Sequence, residues 1–439
     1  MAASPARSAA YTILLRVQQQ DAFASELLHS ELLSGLSEAD RGLCTEIVLG
    51  VLRWQSLLDL AINAASDKQA KSLDPEVLIA LRIAAYQIRF LDRIPARAAV
   101  NESVELVKSA RKKSATGFTN AVLRKLISAS FEVPPAGTPA QDLAQRLAHP
   151  QWLVSRWMEV FGAAAAQRIC DYDQAVPVSA LRLQGASADE LRSEGVETEP
   201  GGLVGGSLRV LRGDVTRTRA FLEGRVFIQD EASQLVALLV GRGLRIFDCC
   251  AAPGSKTAAL AFRNPEAKIV AAEIHPHRAR LIQERVRAAN VEVLTADVTS
   301  LNLGPDFDRV LADVPCSGTG TLARNPEIKW KLRKDDLADL HGRQVAILSA
   351  AFRHVSPGGR ALYSTCSLET EENSAVVQEV LSSHPEFRLV SCREELLRLQ
   401  ESGEFVWNDV DSVIRGAFLR TLPGVHPCEG FFAAMFERS

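Results

Sequence analysis

The sequence lacks the features that mark secreted, membrane-spanning and zinc-binding proteins. No long uninterrupted apolar stretch occurs at its start or further along, which argues against a signal peptide or a membrane span. Only eight cysteines are spread over 439 residues, without a pair of CxxC motifs, so neither a disulfide framework nor a zinc site is indicated. We therefore expect a cytoplasmic protein that binds no metal ion and whose cysteines are either core residues or reactive thiols.

Charge and length set only broad limits on function. A net charge of -3 neither favours nor excludes binding to nucleic acid, because local patches decide such binding. A chain of 439 residues is longer than a domain with a single hydrophobic core usually is, so two or three domains are expected. Nothing in the composition indicates the oligomeric state, and a monomer is the default expectation.

The pattern of apolar residues divides the chain into three predicted domains. Residues 1–132 show apolar positions at helical spacing, which predicts an all-helical domain. The proline-rich segment 133–139 cannot continue a helix and predicts a linker. Residues 141–224 combine a helical stretch with short strand-like pieces, which indicates a small α/β connecting subdomain. Residues 225–439 form the third predicted domain.

The third predicted domain alternates strands and helices in a regular way. Its strand candidates are Arg245–Cys249, Lys268–Ile274, Val291–Thr295, Arg309–Val314, Arg360–Ser364, Phe387–Val390 and Phe431–Phe436. Several are short apolar runs, which are typical of central strands buried on both faces. Because helical segments separate most of them, we predict a Rossmann-like α/β fold with a parallel sheet between two layers of helices.

A loop of small residues follows the first of these strand candidates and predicts a cofactor site. It consists of Cys250, Ala251, Ala252, Pro253, Gly254, Ser255 and Lys256. In a doubly wound sheet, ligands bind beyond the carboxyl ends of the strands, where small residues let the backbone come close. The loop is neither a dinucleotide-binding glycine motif nor a P-loop, so those ligands are not favoured. A tight strand–helix turn without a ligand is the alternative.

Acidic residues stand at the next three strand ends, at Glu273, Asp297 and Asp313. Carboxylates at successive strand ends converge on one crevice, and an acid after the second strand suits ribose hydroxyls. Each acid alone is more typical of a helix cap or a solvated side chain. Four consecutive strand ends with either a small-residue loop or an acid favour a binding site.

Two thiols lie in neighbouring loops on the same side of the predicted sheet. Cys316 belongs to the loop after the fourth strand, and Cys366 follows the fifth. A single cysteine at such a place is more often a core residue. Two cysteines in loops expected to be exposed at the ligand edge favour reactive thiols.

Several motifs together resemble one enzyme family. They are Cys250–Lys256, Asp313–Gly320, Asn325–Trp330, Ser364–Ser367 with Glu371–Asn373, and Glu429–Phe432. This set resembles the Sun/Fmu family of RNA cytosine-5 methyltransferases, in particular its RsmB type, which acts on small-subunit (16S) ribosomal RNA. Ala39–Arg41, Gly50–Trp54 and Asn120–Arg124 are similar to a NusB-type RNA-binding domain. The resemblance covers nearly the whole chain, and the pairing of both domains is more specific than either part.

The resemblance implies an S-adenosylmethionine-dependent RNA methyltransferase in which Cys366 is the nucleophile and Cys316 assists release of the product. Carbon 5 of cytosine is too weak a nucleophile to attack a methyl sulfonium directly. Addition of a thiolate to carbon 6 turns the ring into an enamine whose carbon 5 can take the methyl group. An acid must stabilise the charge that develops at ring nitrogen 3, and Asp313 is the candidate.

The resemblance also implies which residues bind the cofactor. They are the loop Cys250–Lys256 together with Glu273, Asp297 and Asp313. Ser255 stands where the family usually has a second glycine. Serine is small enough to keep the loop, so we expect altered affinity rather than lost activity.

Basic residues surround Trp330 soon after the Cys316 loop. They are Arg324, Lys329, Lys331 and Arg333. Basic side chains near an aromatic ring can hold phosphates and stack a base, so we predict that these four residues contact RNA. A solvated helix face is the alternative, and for Trp330 itself a place in the core is the favoured interpretation.

Two other functions remain open. A DNA cytosine-5 methyltransferase would carry its nucleophile in the loop that here holds Cys316, whereas the second thiol, Cys366, and the NusB-like domain favour RNA. A non-catalytic RNA-binding or ribosome-assembly factor could use the same fold, but the presence of the acids and both thiols argues against it. The sequence does not indicate which cytosine is modified.

Overall fold

The computed structural model describes residues 3–20, 22–128 and 131–439, which form two compact units. The helical unit contains the described residues up to Val176 together with Leu322–Lys331. The sheet unit contains Pro177–Thr321 and Leu332–Ser439. The boundary at Val176 lies inside the segment 141–224 that the sequence analysis treats as one subdomain.

In the described part of the chain, the helical unit contains nine α-helices before the boundary. They are α1 (Pro5–Gln19), α2 (Ala24–Leu28), α3 (Glu38–Ala65), α4 (Pro75–Phe90), α5 (Ala96–Ser109), α6 (Thr116–Ser128), α7 (Pro139–Arg146), α8 (Gln151–Phe161) and α9 (Ala163–Gln174). The predicted all-helical start of the chain is thereby confirmed. Helices α7 and α9 both pack on α3, because their apolar faces need a helical partner to be buried.

Helix α3 corrects the expectation that no part of the chain is apolar enough to span a membrane. Among the described residues it is the one helix whose length and composition meet that criterion. More than half of its most apolar window is buried, and Ile47, Val51 and Leu58 belong to the core of the helical unit. A buried core helix meets the same criterion, so α3 is weak evidence for a membrane span.

A small antiparallel sheet begins the sheet unit. Its strands are β1 (Ala180–Leu183), β2 (Glu197–Pro200), β3 (Leu208–Arg212) and β4 (Val226–Ile228), in the order β2-β3-β1-β4. Helices α10 (Ala188–Ser193) and α11 (Arg219–Leu222) accompany them. Leu181, Leu191 and Val226 are among the residues of its separate small core.

A nine-stranded sheet forms the rest of the sheet unit. Its strands are β5 (Arg245–Asp248), β6 (Lys268–Glu273), β7 (Val291–Thr295), β8 (Phe307–Asp313), β9 (Val355–Thr365), β10 (Phe387–Val390), β11 (Ile414–Arg415), β12 (Phe418–Arg420) and β13 (Phe432–Arg438). Its helices are α12 (Glu231–Val240), α13 (Ser255–Arg263), α14 (Pro276–Arg285), α16 (Asp336–Phe352), α17 (Ser374–Ser383) and α18 (Cys392–Glu401). The intervening α15 (Ile328–Lys331) belongs to the helical unit.

The sheet order confirms the predicted Rossmann-like α/β fold. Strands β7-β6-β5-β8-β9 are parallel neighbours in that order, whereas β13 pairs with β9 in the antiparallel direction. Successive β8 residues Val310 and Leu311 belong to different core clusters, because helices cover both faces of the sheet. This two-sided burial explains the short apolar runs 246–247, 269–272 and 310–312 in the central parallel strands.

The segment Leu322–Lys331 is anchored in the helical unit by side-chain hydrogen bonds to backbone carbonyls. Lys329 is 1% exposed, and its Nζ donates to the carbonyl oxygens of Arg53 and Ala148 at 2.8 and 3.0 Å. The indole Nε1 of Trp330 donates to the carbonyl of Leu52 at 2.6 Å. Burial lowers the pKa of Lys329 to about 7, because an apolar environment disfavours its charged form.

We predict that replacement of Lys329 removes part of the pH dependence of unfolding. Between about pH 7 and 10 an unfolded chain holds a proton on Lys329 that the folded chain has released, so this lysine makes the free energy of unfolding rise with pH, by at most about 1.4 kcal/mol per pH unit. In Lys329→Met this contribution should be absent. Denaturant titrations at several pH values, followed by tryptophan fluorescence, measure it.

The matched control is Lys334→Met, which removes an exposed lysine and should leave the pH dependence of unfolding as in the wild type. Four of the five tryptophans, at positions 54, 152, 157 and 330, lie in the helical unit, so fluorescence reports mainly its unfolding. The same pH slope in wild type and Lys329→Met would contradict the lowered pKa.

Candidate active site

The predicted cofactor loop lies at the carboxyl edge of the parallel strands. It follows Asp248 at the end of β5 and leads into α13, where Gly254 occupies the N-cap with φ +101°. A Cβ at Gly254 would lie 2.9 Å from Cγ2 of Val286, so the loop needs glycine for conformation and for space. Thr257 Oγ1 donates to Asp248 Oδ2 at 2.7 Å and closes the turn.

Asp248 is a residue of this site that the sequence analysis did not single out. It is 1% exposed, and its Oδ1 has no hydrogen-bond partner among the described residues. Burial raises its pKa to about 6, and the nearby charge of Asp313 adds to the shift, while the bond from Thr257 opposes it. Its position at the end of β5, two residues before the small-residue loop, was the available signal in the sequence.

The other two predicted cofactor acids stand at the ends of the next strands. Glu273 ends β6, is 5% exposed, and accepts a hydrogen bond from the backbone N–H of His275 at 2.9 Å. Asp297 follows β7, is exposed, and accepts bonds from the backbone N–H and hydroxyl of Thr299 at 2.9 and 2.7 Å. Both acids are therefore fixed in orientation at the edge where the cofactor loop lies.

Lys256 and Asp313 connect the cofactor loop to the thiol loops. Lys256 Nζ lies 2.6 Å from Asp313 Oδ2, and Ser364 Oγ donates to Asp313 Oδ1 at 2.7 Å. Burial alone lowers the pKa of Lys256, but the Asp313 carboxylate more than offsets this effect, so the net shift is upward. The ammonium group is therefore retained in a site where burial would otherwise favour the neutral amine.

The two predicted thiols lie side by side. Cys316 Sγ and Cys366 Sγ are 3.3 Å apart, and both residues are partly exposed. The hydrogen bond with Cys366, burial and neighbouring negative charge together raise the pKa of Cys316. A raised pKa keeps Cys316 in its neutral thiol form.

Backbone contacts at two glycines hold the thiol loops against each other. The N–H of Gly320 donates to the carbonyl of Cys366 at 2.8 Å, and the N–H of Gly430 donates to the carbonyl of Gly320 at 2.9 Å. A Cβ at Gly320 would lie 2.1 Å from the oxygen of Gly430. Only glycine permits this approach, which explains the glycines at these positions of the motifs Asp313–Gly320 and Glu429–Phe432.

The predicted RNA-binding cluster does not form a single basic surface. Lys329 is buried and donates to backbone carbonyls, so the prediction that it contacts RNA is wrong: an enclosed amine cannot reach a phosphate. Lys331 is partly buried, and its Nζ donates to the carbonyl of Ala22 at 2.8 Å. Arg324 is partly buried, and Arg333 is exposed.

Comparisons with known proteins agree on both parts of the chain. A model described as the NusB family matches residues 4–128, and a model described as 16S rRNA methyltransferase RsmB/F matches residues 236–437. A Bacillus subtilis (strain 168) protein named "Probable ribosomal RNA small subunit methyltransferase B" is 33% identical and covers 98% of both chains. The Vibrio cholerae (El Tor Inaba N16961) protein named "Ribosomal RNA small subunit methyltransferase B" is 34% identical over 80% of this chain and 83% of its own.

The fold also has a solved counterpart. The crystal structure of the protein PH0851 covers 100% of both chains with a TM-score of 0.81 and 24% sequence identity. At this level of identity the likeness shows a shared fold.

We predict that Gly254→Ala weakens binding of S-adenosylmethionine about tenfold or more. The new Cβ adds strain at φ +101° and meets Val286, which displaces the loop. Isothermal titration calorimetry measures the affinity. Gly304→Ala is the control, since Gly304 also has a positive φ but a Cβ there meets nothing within 4 Å. Equal affinities of Gly254→Ala and the wild type would contradict a cofactor role for this loop.

Proposed function

The chain belongs to the RsmB/F family of 16S rRNA methyltransferases, and we propose that it methylates carbon 5 of a cytosine in RNA. The observation that carries the choice of carbon 5 is the pair of thiols, 3.3 Å apart, beside the ion pair of Lys256 and Asp313. We further propose that the substrate is small-subunit ribosomal RNA and that the protein acts in the cytoplasm as a monomer. A DNA substrate would leave the NusB-like domain without a role.

S-adenosylmethionine is the cofactor of this family, and the loop after β5 has features that suit it. Gly254 provides a cradle that a Cβ would fill, and buried Asp248 Oδ1 is an acceptor without a partner among the described residues. Glu273, at the end of β6, is placed as an acceptor for ribose hydroxyls. When bound, the cofactor supplies a methyl group on a sulfonium sulfur.

In the proposed reaction Cys366 is the nucleophile. Its thiolate forms a bond to carbon 6 of cytosine, and the displaced ring electrons collect toward nitrogen 3. Asp313 is held by Lys256 and Ser364. The Lys256 ammonium gives a proton to the Asp313 carboxylate, and the resulting carboxylic acid donates it to nitrogen 3, which leaves a neutral amine on Lys256. Carbon 5 then becomes nucleophilic enough to take the methyl group.

Cys316 acts at the release step of this proposal. Loss of the carbon 5 proton to a base re-forms the ring double bond and expels the sulfur of Cys366. The Cys316 thiol lies within hydrogen-bond distance of that sulfur, and its raised pKa favours the protonated form that can donate. A hydrogen bond to the departing sulfur lowers the barrier to elimination.

We predict that Cys316→Ala accumulates a covalent protein–RNA adduct and that Cys366→Ala forms none. Without Cys316 the sulfur of Cys366 adds to the base but leaves slowly, whereas without Cys366 no bond forms. Each form is incubated with S-adenosylmethionine and 16S rRNA, separated on a denaturing gel, and assayed for 5-methylcytosine by mass spectrometry. Both variants should lose nearly all turnover.

The control for this experiment is Cys392→Ala, which removes a fully buried thiol of the same unit. It should turn over without accumulating an adduct. Turnover by Cys366→Ala, or an adduct that persists in the double variant Cys316→Ala/Cys366→Ala, would overturn the proposed nucleophile.

We also propose that exposed Arg333 contacts the RNA backbone, with Arg324 and Lys331 contributing nearby in the sequence. Arg333→Glu should weaken RNA binding uniformly across sequences and reduce the slope of affinity against salt concentration by about one to two units. Filter binding at several salt concentrations measures this effect. Arg393→Glu, an exposed arginine on α18, is the control, and an equal loss in both variants would remove Arg333 from the proposed interface.

A further inference from the structure

Glu372 is a completely buried acid close to the thiols. Its Oε1 accepts the backbone N–H of Ser317 at 2.8 Å and Nε2 of Gln344 at 2.9 Å. Its Oε2 accepts the hydroxyl groups of Ser317 and Ser367. Backbone and amide N–H groups can only donate, so Oε1 serves as an acceptor for both of them.

The two serines connect Glu372 to both thiol loops, because each serine directly follows one of the two cysteines. Ser317 is the residue after Cys316, and Ser367 is the residue after Cys366. A single carboxyl group therefore holds the backbone of one thiol loop and a side chain of each. The hydroxyl groups of the two serines also lie 3.0 Å apart, which makes the acid the centre of the connection.

Neighbouring groups fix Glu372 itself and the loop of Cys366. The phenol of Tyr363 donates to the carbonyl of Glu372 at 2.6 Å. Asn373 Nδ2 donates to the carbonyl of Ser367 at 2.9 Å, and Arg420 donates to the same carbonyl at 2.8 Å. These contacts fix the position of Glu372, so a change in the charge of its carboxyl group acts directly on the neighbouring thiols.

The charges around Cys316 differ from those around Cys366. Glu372, Cys366 and Tyr363 all interact electrostatically with Cys316. The negative charge of Glu372 is one of the causes that raise the pKa of Cys316, after the hydrogen bond with Cys366, burial and the charge of Cys366. Lys256, paired with Asp313, interacts electrostatically with Cys366 instead.

We propose that Glu372 is a positioning residue that locks the two thiol loops together and places its carboxylate beside Cys316 while Cys366 attacks. This assignment of roles rests on the proposed cytosine-5 chemistry. The geometric part, one buried acid holding both loops, stands independently of that chemistry.

The first test is steady-state kinetics of Glu372→Gln. The amide keeps the size of the side chain but removes the charge and turns one acceptor oxygen into a donor facing two hydroxyl groups. We expect kcat to fall about 10- to 100-fold, while KM for RNA and Kd for S-adenosylmethionine stay within about twofold of wild type. Glu379→Gln, an exposed acid on α17, is the matched control and should retain wild-type kcat.

The second test measures the thiol directly and does not depend on methyl transfer. Alkylation of Cys316 by iodoacetamide is followed by peptide mass spectrometry across pH in Cys366→Ala and in Cys366→Ala/Glu372→Gln. Loss of the neighbouring negative charge should shift the midpoint of the Cys316 profile downward by about one pH unit. Cys366→Ala/Glu379→Gln should show no shift.

The two readouts separate this inference from the proposed function. A downward shift in alkylation with no methyl transfer by any form would leave the role of Glu372 intact and overturn the proposed reaction. An unchanged alkylation midpoint in the Glu372→Gln form would overturn the inference, as would a kcat equal to that of the wild type.

Discussion

The parallel direction of five strands is the constraint on which the rest of the sheet unit depends. Because β5 to β9 run the same way wherever they pair, their carboxyl ends meet at one edge of the sheet. Loops that lie far apart in the sequence therefore converge without any need for specific attraction between them. The cofactor loop, the acids and both thiols all follow these strand ends, and the antiparallel β13 adds the Glu429–Phe432 motif beside them.

The ion pair of Lys256 and Asp313 links the two halves of the site. Lys256 belongs to the proposed cofactor loop, and Asp313 precedes the loop of Cys316. A buried ammonium group costs free energy unless a partner compensates it, and here the partner is the acid expected to act at the base. The placement of each residue therefore depends on the other, which connects the proposed cofactor loop to the loop of Cys316.

Buried ionisable groups recur throughout the protein, and each is held by a different set of partners. Asp248 accepts a hydrogen bond from Thr257, and Glu372 accepts hydrogen bonds from two serines and a glutamine. Lys329 donates hydrogen bonds to backbone carbonyls. Burial of such groups is unfavourable without hydrogen bonds. Their presence in the sheet unit coincides with the active-site edge, whereas Lys329 fixes a segment of the helical unit.

The sequence determined by itself the local structure and the chemical inventory of the site. Periodicity located β7 and β10 at their observed bounds and the other predicted strands within about five residues, since apolar runs between helices leave few other arrangements. The motifs also predicted the cofactor loop, the acids and both thiols as one set. Residues that directly follow a strand can be predicted in this way, because the end of the strand fixes their position in the fold.

Only the tertiary structure decided which polar residues are buried and what they contact. Lys329 stands in a basic stretch typical of a solvated or RNA-binding surface, yet it is enclosed by α3 and the turn at Ala148. Glu372 looks like one acid in a short acidic run, yet it connects two loops separated by about fifty residues of chain. The physical reason is that burial and hydrogen-bond partners come from distant segments, so no local pattern of residue types encodes them.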